Sequence, residues 1–364
     1  MRFALILLLT VTAATAQGSL RKQVRVIAGD ARGRVSASCS LAGTPLDCNL
    51  NPHGHPPMQS VFKLPLALDV LRQVEQGKFT LDQQIRFEPS DRILPHAYSP
   101  LWDKYPDANV DVPLRELLRL AVSLSDNVAA DILLRLAGGP AVVNRDIAAM
   151  GIRGFHLMDN ENALHHKTEL QYRNWFEPSG AVQLLRMIDE HSPLNAANTA
   201  FLREIMTAPA EKTRLGLQLP AATPVAHKTG SSDVDNGLAH ATNDIGLITL
   251  PDGRKLAIAV FVTDSRADEA TRMGIIARIG KAAYGAAIHQ PLSFSAEHFG
   301  AKNLRHAPTA FRACKFRIPV RWDELRETGT GAWAARARPS FPHRESPPPR
   351  APRAAFRPAS SHWL

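Results

Sequence analysis

The sequence predicts an α/β domain whose strands lie at its two ends and whose middle is helical. Three observations carry this. Strand-like runs occur near the start, at 33–50, and return at 225–262. Between them, helical periodicity recurs at 60–77, 111–120, 128–136, 141–150, 178–191 and 196–208. A long amphipathic helix, 267–287, follows the last strands. The reading is an α/β lobe of 17–58 and 212–288, interrupted by an all-helical lobe of 59–211.

Taken in order, the chain opens with Met1-Arg2, an apolar run from Phe3 to Leu9, and Ala14-Thr15-Ala16. A basic start, a short apolar stretch and an A-x-A site read as a signal peptide, 1–16, cleaved after Ala16. The run is too short to span a bilayer, so the mature chain is expected in the periplasm or secreted, with no membrane segment. Ser19 to Arg32 reads as a first helix. Gly33 to Ser40 and Pro45 to Leu50 read as two strands about a turn at Gly43-Thr44. Cys39 and Cys48 are symmetric about that turn, and export makes them an expected disulfide. The loop 51–59 is rich in His and Pro. Its His53-Gly54-His55 has no following Asp and runs into Pro56-Pro57, so it reads as plain loop; no metal and no cofactor is expected.

The apolar helix Leu64 to Val74 ends near Gly77. Asp111 to Leu120 reads as a helix opened by a cap residue and Pro113. Ser123 to Asn127 interrupts the pattern, and Val128 to Leu136 stops at Gly138-Gly139-Pro140. Residues 155–177 are polar and without period, and a loop this long in a compact domain is usually functional. Val225 to Ser231 reads as a strand, and Asn243 to Leu250 with Lys255 to Val262 as a hairpin about Pro251-Asp252-Gly253.

The net charge of +9 is uneven. Residues 289–364 hold 13 of the 43 Lys and Arg, 5 of the 34 Asp and Glu, and 10 of the 27 prolines. The segment 17–288 is formally neutral once that tail and Arg2 are set aside. The basic balance therefore reports the tail and does not point to nucleic acid. A Pro- and Arg-rich stretch of this kind buries too little apolar surface to fold alone, and Cys314 within it is expected to be a free thiol.

Three short motifs carry the chemistry. Ser60-x-x-Lys63 places a hydroxyl and an amine one turn apart on one helix face. A serine needs a neighbour to take its proton, and a desolvated lysine can do that. Ser125-Asp126-Asn127 lies in the break between two helices, and Lys228-Thr229-Gly230 on a strand. Each has a plain reading, as a helix cap or a strand end. In this order they supply what acyl transfer needs. Ser60 is the nucleophile and Lys63 a base or proton relay. Ser125 passes a proton to the departing amine, and Asn127 binds a substrate amide carbonyl. Lys228 and Thr229 hold a carboxylate. Gly230 lets a substrate lie against the strand, and the N–H groups of Ser60 and Ser231 form the oxyanion hole.

Residues 20–288 resemble the class A serine β-lactamases, most of all the PER-type extended-spectrum branch. The resemblance rests on these motifs and on Met58-Gln59-Ser60-Val61-Phe62-Lys63, Gln171-Tyr172-x-Asn174-Trp175 and Ala226-His227-Lys228-Thr229-Gly230. It implies a β-lactamase/transpeptidase-like fold, a five-stranded antiparallel sheet flanked by helices, with the site between the lobes. It also implies a monomer that hydrolyses small β-lactams. Glu161, in the 155–177 stretch that matches the family's Ω loop, becomes the residue that activates water. Arg214 becomes a second carboxylate-binding cation, and Tyr98 and His165 line the site. The match has departures. His165 replaces the usual asparagine, and Asp159 and Asn174 stand where relatives have an Arg–Asp brace, so that pair cannot form. Asp131 stands in place of an asparagine, near Glu161, so that one of the two carboxyls holds a proton. Gln59 and Ser232 exclude the disulfide of the class A carbapenemases. The competing reading is a penicillin-binding D,D-peptidase or receptor that acylates without turnover, and Glu161 separates the two.

Overall fold

The computed structural model describes residues 19–92, 97–207 and 213–290. The signal-peptide reading, Cys314 and nearly all of the 289–364 tail lie outside these residues. Residues 19–28 form helix α1. Strand β1, Arg34–Leu41, follows. The second strand expected at 45–50 is absent; only Leu50 bridges to Ala37. Pro45 has no N–H to give a ladder, and the Asp47 carboxylate takes up the Asn49 N–H at 2.7 Å. The single bridge still sets the register, and Cys39 and Cys48 are disulfide-bonded with Cα atoms 5.5 Å apart.

A 3-10 turn, Gln59–Phe62, leads into helix α2, Lys63–Glu75. Strand β2 is Gln84–Phe87, helix α3 is Pro100–Lys104, and strand β3 is Val110–Pro113. The helix expected from Asp111 begins only at Leu114, because Val110–Pro113 pairs antiparallel with Gln84–Phe87. Helices α4 (Leu114–Ser123), α5 (Asn127–Ala137) and α6 (Pro140–Ala149) follow. The stretch read as irregular is ordered. It contains β4 (Phe155–His156), α7 (Glu161–His166), a 3-10 turn (Thr168–Arg173) and β5 (Trp175–Phe176), which pairs with β4. Helices α8 (Pro178–Glu190) and α9 (Ala196–Thr207) complete the middle. The chain ends in β6 (Val225–Ser231), β7 (Val234–Asp235), β8 (Leu238–Thr249), β9 (Lys255–Ser265) and α10 (Glu269–Ile288).

The five-stranded antiparallel sheet has the order β1-β9-β8-β6, with β7 also on β8. β6 and β7 are one line of pairing interrupted at Ser232, where the serine hydroxyl accepts the Ala241 N–H at 2.9 Å. Strand β9 reads as an unbroken apolar run from Leu256 to Val262 because both its faces are covered. On β9, Ala257, Ala259 and Phe261 enter the core shared with α2, α4, α5 and α8. Leu256, Ile258, Val260 and Val262 enter the other core, with α1 and α10. The active face is where the head of α2, the break before α5 and the end of β6 meet.

Candidate active site

The nucleophile turn is fixed from the sheet. Asn243 on β8 is fully buried and donates to Pro57 O (2.9 Å) and Met58 O (3.2 Å). Gln59 takes φ +48°, and the chain turns there into the 3-10 turn that presents Ser60. β6 passes close behind. A Cβ on Gly230 would sit 2.7 Å from Met58 O and 3.3 Å from Ser60 N. Glycine is thus required first by the fold, which presses β6 against the nucleophile turn.

Lys63 is completely buried, and its ammonium has three acceptors: Ser125 O at 2.8 Å, Asn127 Oδ1 at 2.5 Å and Glu161 Oε1 at 2.9 Å. Those satisfy all three of its protons, which is what a buried ammonium needs. Glu161 Oε1 also lies 3.5 Å from Ser60 Oγ, so the carboxylate bridges the lysine and the nucleophile. Ser125 sits at φ +59°, a conformation that non-glycine residues rarely hold outside functional turns. Its hydroxyl accepts from Lys228 Nζ at 2.9 Å. Ser125 is thus held by a lysine on each side, Lys63 on its carbonyl and Lys228 on its hydroxyl. Burial, then the Lys63 and Arg214 charges, push the Lys228 ammonium well below the usual lysine range.

Asp126 organises this turn. Its carboxylate caps α5 through the Ala129 N–H (2.9 Å) and accepts from Ser99 Oγ (2.8 Å) and Leu101 N (2.6 Å). Burial pushes it above the usual carboxylate range. The plain helix-cap reading of Ser125-Asp126-Asn127 is thus met by Asp126, to which the sequence assigns no catalytic role. His227 packs on Asp244 behind β6, with Nδ1 2.9 Å from Oδ1. Burial opposes its protonation, but Asp244 prevails and raises it above the ordinary histidine value.

A cavity of about 550 Å³ is lined by Ser60, Tyr98, Ser125, Asn127, Glu161, His165, Gln171, Thr229, Gly230 and Ser231. Lys63 and Lys228 lie under it. Arg214 comes from behind: it is buried at φ +44° and donates to Gly230 O (3.0 Å), Asn243 O and Ser231 Oγ (2.5 Å). Its guanidinium therefore reaches the cavity through Ser231. The Asn127 amide lies 3.1 Å from His165 Nε2.

The loop carrying Glu161 is tied by polar groups. Asp131 accepts the N–H of Glu161 (2.8 Å) and of Asn162 (2.9 Å). Burial, then the Glu161 charge, push the Asp131 carboxyl up to about 7. Asn160 caps α7 by accepting from Ala163 N at 3.0 Å. Asn174 accepts from Met158 N and Asp159 N (2.8 and 3.0 Å) and donates to Asp159 O (2.8 Å). The brace that positions 159 and 174 cannot make is replaced by these bonds and by Arg173, whose Nε is 3.2 Å from Asp159 Oδ2. No group of three metal-ligand side chains is found among the described residues.

The β-lactamase enzyme family model matches residues 19–287. The extended-spectrum β-lactamase PER-1 of Pseudomonas aeruginosa is 42% identical over 237 residues, 65% of this chain and 76% of the relative. The β-lactamase VEB-1 of the same organism is 38% identical over 237 residues, 64% of this chain and 78% of the relative. Among solved structures, a β-lactamase from Chitinophaga pinensis gives a TM-score of 0.71 at 44% identity, covering 74% of this chain and 99% of that one. The TLA-1 extended-spectrum β-lactamase gives 0.72 at 36% identity, covering 75% and 99%. With its serine, two lysines and loop glutamate on the fold of these enzymes, and with its similarity to the branch of PER-1 and VEB-1, the chain belongs to the class A serine β-lactamase family.

Proposed function

We propose that the chain hydrolyses the β-lactam ring of penicillins and cephalosporins through an acyl-enzyme on Ser60, and so confers antibiotic resistance. The observation that carries this is Glu161, buried between Lys63 Nζ and Ser60 Oγ. In acylation Lys63 serves as base or proton relay for the Ser60 hydroxyl. The carbonyl oxygen is held by the N–H groups of Ser60 and Ser231. Ser125, with Lys228 on its hydroxyl, returns a proton to the ring nitrogen. Lys228, Thr229 and the Arg214–Ser231 pair receive the substrate carboxylate. Asn127 takes the side-chain amide, and Tyr98 and His165 wall the cavity. Glu161 then activates the water that releases the product. A penicillin-binding D,D-peptidase or receptor has no need of that base.

No helix among the described residues is long and apolar enough to cross a membrane. The segment 1–16 acts as a signal peptide for export to the periplasm or outside. The site residues all come from one chain, and we read the enzyme as a monomer that uses no cofactor. The domain comprises 17–288, its sheet lobe being 17–58 with 212–288 and its helical lobe 59–211, and the 289–364 tail takes no part in catalysis. The test is turnover of a chromogenic cephalosporin by the purified chain, with Ser60→Ala as control. Multiple turnovers by wild type and a loss on the order of 10⁶-fold in Ser60→Ala are expected. A single stoichiometric burst by wild type would replace this reading with the penicillin-binding one.

A further inference from the structure

Gln171 and Tyr172 are neighbours in the 3-10 turn of the Glu161 loop and reach in opposite directions. Gln171 is buried, and its Oε1 accepts from Gln59 Nε2 at 2.7 Å, beside the nucleophile. Tyr172 reaches the sheet. Its hydroxyl donates to Asp264 Oδ1 at 2.5 Å and lies 2.6 Å from His240 Nδ1, whose ring meets it edge-on at 5.7 Å. The other Asp264 oxygen accepts from Arg34 Nη2 at 2.6 Å. Burial and Asp264 push the Tyr172 phenol up to about 12, so it remains a donor at any working pH.

The acceptor is set by an irregular backbone. β8 and β9 pair Ala239 with Ser265 and Ala241 with Thr263, but His240 and Asp264 between them are not paired. There Asp264 adopts φ +50°. In a regular strand its side chain would share the face of Val260 and Val262, which lies in the core with α10. The interruption releases the carboxylate to meet the loop. A non-glycine residue held in this region persists only where its surroundings over-determine it.

From Tyr172 the connections run to the base. Arg173 pairs with Asp159, and Asn174 holds the backbone of Met158 and Asp159. Asp159 and Asn160 immediately precede Glu161, and Asn160 caps its helix.

We propose that Tyr172, through its hydroxyl bond to Asp264, is the positioning residue that registers the Glu161 helix against the nucleophile, and that it serves deacylation rather than acylation. Acylation depends on Ser60, Lys63, Ser125 and Lys228, none of which is bonded to Tyr172; the turn's bond beside the nucleophile, Gln171 to Gln59, does not involve the Tyr172 hydroxyl. This rests on Glu161 as the deacylation base.

The test compares wild type with Tyr172→Phe, which keeps the ring and removes the hydroxyl. The rates of formation and decay of the acyl-enzyme are followed by quenched-flow intact-mass spectrometry on a cephalosporin. Acyl-enzyme formation is expected within about twofold of wild type and decay about tenfold slower, a displacement of under an ångström being enough for that. Asp264→Asn retains a carbonyl acceptor and tolerates the left-handed backbone, and should decay near the wild-type rate. Asp264→Ala should match Tyr172→Phe. Wild-type decay in Tyr172→Phe would overturn the proposal, as would formation and decay slowed equally. A Glu161→Gln control separates the two readings. If it decays as fast as wild type, the base assignment fails. If it stalls while Tyr172→Phe decays normally, only the positioning role fails.

Discussion

The two sides of the cavity are built by different means. The nucleophile side is a helix head and a strand end sunk in apolar packing. Lys63 and Lys228 are 0% and 2% exposed; core residues flank Lys63 along α2, and Lys228 on β6 pairs with Ile245 of β8, which lies in the same core. The opposite side, 155–177, stands mostly on polar bonds: Asp131, Asn160, Asn174, Gln171 and Tyr172 each hold it by one to three contacts. The difference follows the two half-reactions. Lys63 and Lys228, needed for acylation, are embedded in close packing, which tolerates little displacement. The group needed for deacylation is held by hydrogen bonds, each worth about 0.5–1.5 kcal/mol, that can be removed singly without emptying a core.

Two substitutions sharpen this contrast. Gly230→Ala attacks the packed side. Its Cβ would fall 2.7 Å from Met58 O, so either β6 or the nucleophile turn must shift. A shift of about 1 Å costs about 10²-fold, and it should appear in kcat/KM, which reports acylation. An unaltered kcat/KM would show that the strand has room to move. Asp131→Asn addresses the polar side and should have a smaller effect, read in stability against pH. The folded Asp131 carboxyl titrates at about 7, above its unfolded value. Its contribution to stability is therefore full below about pH 4 and is lost as pH rises through about 7. The Tm of wild type relative to Asp131→Asn should fall over that interval and stay constant above it. A difference independent of pH would show that Asp131 titrates as an ordinary carboxyl.

The packed side was also the legible side. The apolar run Leu64 to Val74 gave α2, and the Lys255 to Val262 run gave β9, because burial leaves a period or an unbroken apolar stretch. The three motifs then fell on the head of α2, the break before α5 and β6. What sequence did not disclose depends on distant or irregular pairing. In sequence, strand β3 looks like the start of a helix because its partner, Gln84–Phe87, lies far back in the chain. The 45–50 stretch looks like a strand in sequence because its side-chain bonds leave no mark on the alternation. The 155–177 loop looked irregular because its order comes from side chains bonding to backbone. Its individual residues, above all Glu161, were legible only through the resemblance. The carboxylate-binding role of Arg214 likewise comes from the resemblance, and the structure adds that its guanidinium holds two strand carbonyls and Ser231.

The lifetime of the acyl-enzyme in Glu161→Ala tests the account most directly. A positioned base typically supplies about 10²–10⁴-fold, and its loss should stall the second half-reaction while sparing the first. Intact-mass spectrometry after mixing with a penicillin should show one drug adduct that persists for minutes or longer in Glu161→Ala and vanishes rapidly in wild type. An adduct as long-lived in wild type as in Glu161→Ala would contradict hydrolysis. Wild-type turnover by Glu161→Ala would contradict the assignment of the base, and His165 would be the next residue to test.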